Sequence, residues 1–203
     1  MDNNRIGLFG GTFDPPHIGH LILASEASHQ FGLSRLLWAL ASAPPHKLDK
    51  PITPLEHRIA MVEMAIAGEP IFEFSNIEIN RPGPHYTADT VDLLMDEQPG
   101  LEIVLLLGGD SLHSLPSWHR PIELVSRIYQ LGVLQRPGEM FDMQGLEEKI
   151  PGIGQKTTFI EALLHNLSSS EIRRRVKNGL PYRYYVLPSI FEYIESRGLY
   201  RDG

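Results

Sequence analysis

Gly10-Gly11-Thr12-Phe13-Asp14-Pro15-Pro16-His17-Ile18-Gly19-His20 joins two apolar runs, Ile6-Gly7-Leu8-Phe9 before it and Leu21-Ile22-Leu23-Ala24 after it. The first run is short and bounded by glycines, as a strand buried on both faces is. The second reads as the apolar face of a helix. Between them lie two glycines that let the backbone approach a ligand closely, a hydroxyl, and two histidines about one helical turn apart. A helix that starts here offers free N–H groups and a positive dipole end. The stretch is therefore expected to hold a nucleotide phosphate, and the question is whether the chain supplies a second half. An ordinary tight turn is the plainer alternative for the glycines alone.

Outward from this turn the pattern alternates strand and helix. A strand over Arg5–Gly10 leads to a helix over Gly19–Phe31 capped by Gly32. A second buried strand, Leu36–Ala41, ends in Ser42-Ala43-Pro44-Pro45-His46-Lys47. Thr53, Pro54 and Glu56 read as the capped start of a helix that runs to Gly68. Ile71–Ile79 alternates as a strand with a bulge near Ser75-Asn76, and a helix starts near Thr87. Leu101–Leu107 is a strongly apolar strand that runs into Gly108-Gly109-Asp110-Ser111. Short helical pieces reach Ser126, and a strand covers Tyr129–Leu134. Residues 138–156 read as a variable surface segment, followed by a short strand at Thr157–Ile160. Ser168-Ser169-Ser170-Glu171 opens a helix to about Asn178-Gly179, and a last helix spans Pro188–Arg197 before Gly198. This is the pattern of an α/β, Rossmann-like doubly wound fold, mainly parallel, with helices on both sheet faces. It reads as one domain over residues 1–203, with a C-terminal helical part from about 165 packed on it. Ligands in such sheets bind beyond the carboxyl ends of strands where the strand order reverses. Gly10–His20, Ser42–Lys47 and Gly108–Ser111 all sit at such ends.

With 203 residues, 42% hydrophobic and 21% charged, the chain has the make-up of a globular protein with one well-buried core. It has no cysteine, which excludes disulfides, thiolate metal sites and a cysteine nucleophile. A formal charge of −7 argues against a general nucleic-acid or membrane-surface binder. Its apolar runs fall far short of the roughly 18 residues of a membrane span. With no apolar targeting segment after Met1, a cytoplasmic protein is expected. No third ligand accompanies His17 and His20, so no resident metal is expected; Mg²⁺ riding on nucleotide phosphates is compatible.

His17-Ile18-Gly19-His20 resembles the (His or Thr)-x-Gly-His signature of the nucleotidyltransferase superfamily, shared with class I aminoacyl-tRNA synthetases. The longer run from Gly10 is similar to that of bacterial nicotinate-nucleotide adenylyltransferases. Pro44–Lys47, Tyr86-Thr87-Ala88-Asp89-Thr90, Gly108–Asp110 with Leu115-Pro116-Ser117-Trp118, Ser168–Arg173, and Tyr193-Ile194 with Gly198-Leu199-Tyr200 agree with that family. The resemblance implies attack of nicotinate mononucleotide on the α-phosphorus of ATP, releasing pyrophosphate. The attacking phosphate is already ionised at neutral pH, so catalysis rests on positioning and on donors to growing charge.

His17, His20, Lys47 and Arg173 are the expected donors. The ATP half is expected to comprise Gly10, Gly11, Thr12, Phe13, Gly108, Asp110 (ribose hydroxyls), Arg136, Ser168, Ser169, Ser170 and Ile172. The resemblance assigns the pyridine half to Thr87 on the carboxylate, backbone N–H groups near Ser114, and Trp118 stacked on the ring. The family usually has threonine where Ser170 stands; serine keeps the hydroxyl. Arg174 and Arg175 are expected at the surface, because successive helical residues point about 100° apart. His29, His57, His113, His119 and His165 show no partner pattern and read as structural or solvated, and Asp89 as serving its helix start. Partners are ATP with Mg²⁺ and nicotinate mononucleotide, in a possible homo-oligomer. Nicotinamide mononucleotide or phosphopantetheine as acceptor, and a non-catalytic nucleotide sensor, are the alternatives.

Overall fold

In the computed structural model, residues 4–41, 52–135, 138–163 and 167–201 are described. Six parallel strands form one sheet: β1 (Arg5–Gly11), β2 (Arg35–Leu40), β3 (Phe72–Ser75), β4 (Glu102–Gly108), β5 (Gln130–Leu134) and β6 (Thr157–Phe159), in the order β3-β2-β1-β4-β5-β6. The order reverses between β1 and β4, so the carboxyl ends of these two strands flank the crevice where such folds bind ligands.

Alternation along the strands sends side chains to opposite faces. Leu8, Leu37 and Leu105 lie in register and face a core shared with α3 (Thr87–Glu97), α4 (Gly109–Ser114) and α5 (Pro121–Arg127). Phe9, Trp38 and Leu106 face the other side, under α1 (Ile18–Phe31) and α2 (Leu55–Ile66). A third cluster joins Met61 and Ala65 of α2 to Ile172 and Val176 of α8 (Ser169–Lys177) and Ile190 and Ile194 of α9 (Pro188–Arg197). That packing holds the C-terminal helices against the end of the sheet that carries the histidine turn.

Three expectations are corrected. Residues 138–156 are not merely surface: α6 (Met143–Lys149), its C-cap Ile150 and α7 (Ile153–Lys156) bury Leu146, Ile150 and Ile153 in the first core cluster. Their helices are too short for a period to register in sequence. The third strand stops at Ser75, because Ile77 and Ile79 pack on different core clusters from within a turn. The cap of α2 is Pro54 rather than Thr53. Thr53 is engaged elsewhere, donating its N–H to Asp14 Oδ2 at 3.3 Å and accepting at its carbonyl from Arg58 Nε at 2.9 Å. Ser168 does cap α8, its hydroxyl accepting from the Glu171 N–H at 3.2 Å.

Candidate active site

β1 ends at Gly11, and the chain crosses Thr12–Pro16 before α1 begins with His17 as its cap residue. Phe13 takes a positive φ of 46° and folds its ring back under the turn, edge-on to Phe9 at 5.2 Å. A Cβ at Gly11 would lie 2.8 Å from that ring, whereas one at Gly10 would meet nothing within 4 Å. Gly11 is thus demanded by packing, and Gly10 leaves its surface open. The His17 N–H donates to His20 Nδ1 at 3.1 Å, and the two imidazoles stack with centroids 3.7 Å apart. An accepting Nδ1 places the proton of the neutral His20 ring on Nε2, which makes that nitrogen a donor.

The turn is clamped from behind. Arg58, only 2% exposed, donates from Nη1 to the carbonyls of Ala41 (2.7 Å) and Thr12 (3.3 Å) besides its bond to Thr53. It therefore ties the ends of β1 and β2 to the start of α2. Asp14 Oδ1 accepts from the Tyr200 hydroxyl at 2.8 Å. Burial, reinforced by the Asp14 carboxylate, pushes the Tyr200 phenol far above its usual pKa, so it stays a neutral donor. Arg173 Nη1 donates to the Asp14 carbonyl at 2.6 Å, and Ser169 Oγ to the Pro15 carbonyl at 2.8 Å. These contacts bring the N-terminus of α8 beside the histidines across more than 150 residues of sequence.

Beside the turn, a cavity of about 260 Å³ opens between the ends of β1 and β4. Gly10, Gly11, Gly108, Tyr86, Thr87 and Trp118 are in its wall. Thr87 is the first residue of α3, with Tyr86 as the cap, so the N–H groups of that helix start lie at the wall. Trp118 Nε1 donates to Ser114 Oγ at 3.2 Å, which orients the indole. Tyr86 stacks on His119 at 4.2 Å. Arg120 donates to Asp89 at 2.6 Å and to Asp92 at 2.8 Å, fastening the segment that carries Trp118 to the helix that carries Thr87. Among the described residues no cluster of three or more His, Asp or Glu side chains is placed to hold a metal ion.

The cytidylyltransferase-like family matches residues 8–175 of the chain. A probable nicotinate-nucleotide adenylyltransferase of Thermomicrobium roseum is 44% identical over 98% of this chain and 92% of its own length. One from Roseiflexus is 42% identical over 99% of this chain and 100% of its own. The chain belongs to the nicotinate-nucleotide adenylyltransferase family. A solved nicotinic acid mononucleotide adenylyltransferase of Plasmodium falciparum, complexed with NaAD, superimposes with a TM-score of 0.82 over 98% of both chains. At 21% identity that likeness speaks for the fold alone.

Against the family pattern, His17, His20, Arg173 and Ser168–Ser170 converge around the turn at Asp14–Pro15. Thr87 and Trp118 converge at the cavity, which Thr12 also lines. Asp110 is exposed in the first turn of α4, while its neighbour Ser111 lines the cavity. The Ser114 side chain serves Trp118, and the Ile172 side chain is wholly buried in the third cluster, its N–H donating to the Ser168 carbonyl at 3.1 Å. Asp89 is engaged by Arg81 and Arg120. Arg174 is a surface ion pair with Glu171, whereas Arg175 also donates to the Pro181 carbonyl at 2.7 Å. Lys47 and its Ser42–Lys47 segment, Arg136 and His165 lie outside the described residues. His119, read as structural or solvated, lines the cavity, and His57 meets the Tyr193 hydroxyl at 2.9 Å.

Sequence reasoning missed Asp14, Arg58, Tyr200, Glu78, His85 and Arg120. Asp14 and Tyr200 stand in motif segments but had no role assigned to them, and Arg58 carried a signal of its own: it stands on the same face of α2 as Leu55, Val62 and Ala65, an odd place for a lone charge.

Proposed function

We infer that the chain transfers the adenylyl group of ATP to nicotinate mononucleotide, giving nicotinate adenine dinucleotide and pyrophosphate in NAD biosynthesis. Relatives of that name at 42–44% identity over nearly the whole chain carry the assignment. The mononucleotide phosphate oxygen attacks the α-phosphorus, the new P–O bond forms, and the bond to pyrophosphate breaks. No proton need be removed from the attacking oxygen. In this reading His17 and His20 donate to α-phosphoryl oxygens, and Arg173 with the α8 N-terminus holds the triphosphate. Lys47 is assigned to a phosphate and Arg136 to the adenine or phosphate side. The ATP half further comprises Gly10, Gly11, Thr12, Phe13, Gly108, Asp110 and the first turn of α8 up to Ile172. Thr87 and the α3 N–H groups take the nicotinate carboxylate, while Trp118 covers the ring. ATP enters with Mg²⁺ on its phosphates, where the ion needs few protein ligands. A cytoplasmic setting goes with this reaction.

Incubation with Mg²⁺, ATP and nicotinate mononucleotide is expected to release pyrophosphate and form the dinucleotide. Binding of both substrates without product would overturn the reading, and a parallel arm with nicotinamide mononucleotide measures acid-over-amide preference. Trp118→Ala should raise KM for the pyridine substrate about tenfold while leaving KM for ATP within about twofold, in line with the worth of a stacked base. Equal effects on both would make the tryptophan structural.

A further inference from the structure

The cavity wall contains a single Asp, Glu, Lys or Arg among the described residues: Glu78. It sits in the turn after β3 and is 6% exposed. One carboxylate oxygen accepts from the Thr90 hydroxyl at 3.1 Å. Among the described residues the other oxygen takes no hydrogen bond, and the carboxylate makes no ion pair. The nearest cation on this element, Arg81, is directed elsewhere: Nη1 lies 3.4 Å from Asp89, and Nη2 donates to the Tyr86 carbonyl and to Thr90. His85, also in the wall, is held below the usual histidine pKa by burial and by Arg81, and so supplies no positive charge at neutral pH. Burial pushes the Glu78 pKa up, and the Thr90 hydrogen bond and the charge of Arg81, which reaches it only through Thr90, offset that only in part. The ionised carboxylate therefore gains from a cation that arrives in the cavity.

The substrate assigned above brings such a charge. A pyridine joined to ribose through its nitrogen is a permanent cation, whatever stands on its 3-position. The two charges of the substrate's nicotinate ring match the cavity: a carboxylate for the α3 N–H groups and Thr87, and a ring cation for the opposite sign. We propose that Glu78 is a specificity residue that pairs with the positive ring of a pyridinium mononucleotide, so that the cavity rejects the same nucleotide with an uncharged ring. The proposal rests on the adenylyltransferase reading for the identity of the ligand. The aromatic faces of Trp118, Tyr86 and His119 also favour a cationic ring, but Glu78 alone among the described wall residues brings a formal negative charge to it.

Calorimetry with nicotinate mononucleotide and with its 1,4-dihydropyridine form, neutral at the ring, tests this. The wild-type protein is expected to bind the pyridinium at least about tenfold more tightly, as a close desolvated charge pair allows. Glu78→Gln retains an oxygen for Thr90 and is expected to narrow the ratio about fivefold by weakening the pyridinium alone. Thr90→Val keeps the carboxyl group but removes a bond that favours its ionised form, and should leave a ratio between those of the wild type and Glu78→Gln. A wild-type ratio near one, an undiminished ratio in Glu78→Gln, or equal weakening of both ligands in both variants would overturn the proposal. The wild-type ratio needs no variant to fold. Pyrophosphate release assayed beside the binding separates the two readings: selective binding without turnover sinks the reaction and leaves Glu78 its role.

Discussion

Replacing His20 by alanine is expected to lower kcat by roughly 10²-fold or more, the usual worth of a donor to transition-state charge. The folded state should change little. The ring is only partly buried; besides its stack on His17 and its contacts with Phe9 and Phe13, the main polar interaction lost is the bond from the His17 N–H to Nδ1 at 3.1 Å. Its loss costs about 1 kcal/mol, or roughly 2–4 °C of Tm in a chain of this size. His20→Asn refines the result, because its side-chain oxygen can take over from Nδ1 while no donor reaches the place of Nε2. Comparable loss of kcat in both variants, with Tm recovered in the asparagine, is the expected pattern. Full activity in either would remove His20 from the reacting phosphate.

Arg58→Met is expected to be the most damaging change outside the ligand contacts. The methionine fills much of the same space but leaves the carbonyls of Thr12, Ala41 and Thr53 without their donor. Burial draws the Arg58 pKa down, and the nearby Asp14 carboxylate draws it up, so removing the cation also leaves that carboxylate less compensated. A loss of about 3 kcal/mol or more follows from breaking a buried charged constellation. Thermal denaturation should then show Tm lower by roughly 6–12 °C. Arg58→Lys should recover little, since one ammonium cannot span three carbonyls that a planar guanidinium reaches together. A Tm within about 2 °C of wild type would mean the carbonyls find other donors.

The distribution of these residues explains what could be read early. Strands such as Leu101–Leu107 announce themselves because both faces are covered, so nearly every residue must be apolar. The same argument identifies the strand ends, and hence Gly10–His20 and Gly108–Ser111, as neighbours in space. Short elements escape it: α6 and α7 hold too few residues for a helical period, although Ile150 and Ile153 are fully buried. Glu78 was hidden for another reason. The alternation around Ile77 and Ile79 mimics a strand, when those side chains in fact diverge to separate core clusters and turn the carboxylate to the cavity wall.

Sequence alone determined the α/β alternation, the strand-to-helix turn with paired histidines, and the family that these motifs mark, because each is a local pattern of residue types at fixed spacing. Tertiary structure alone decided which distant groups hold that turn in place. Tyr200, Arg58 and Arg173 meet at or around Asp14 only after α2, α8 and α9 have packed their apolar faces together. Such contacts follow from burial of whole helix faces, a property that no short window of sequence contains.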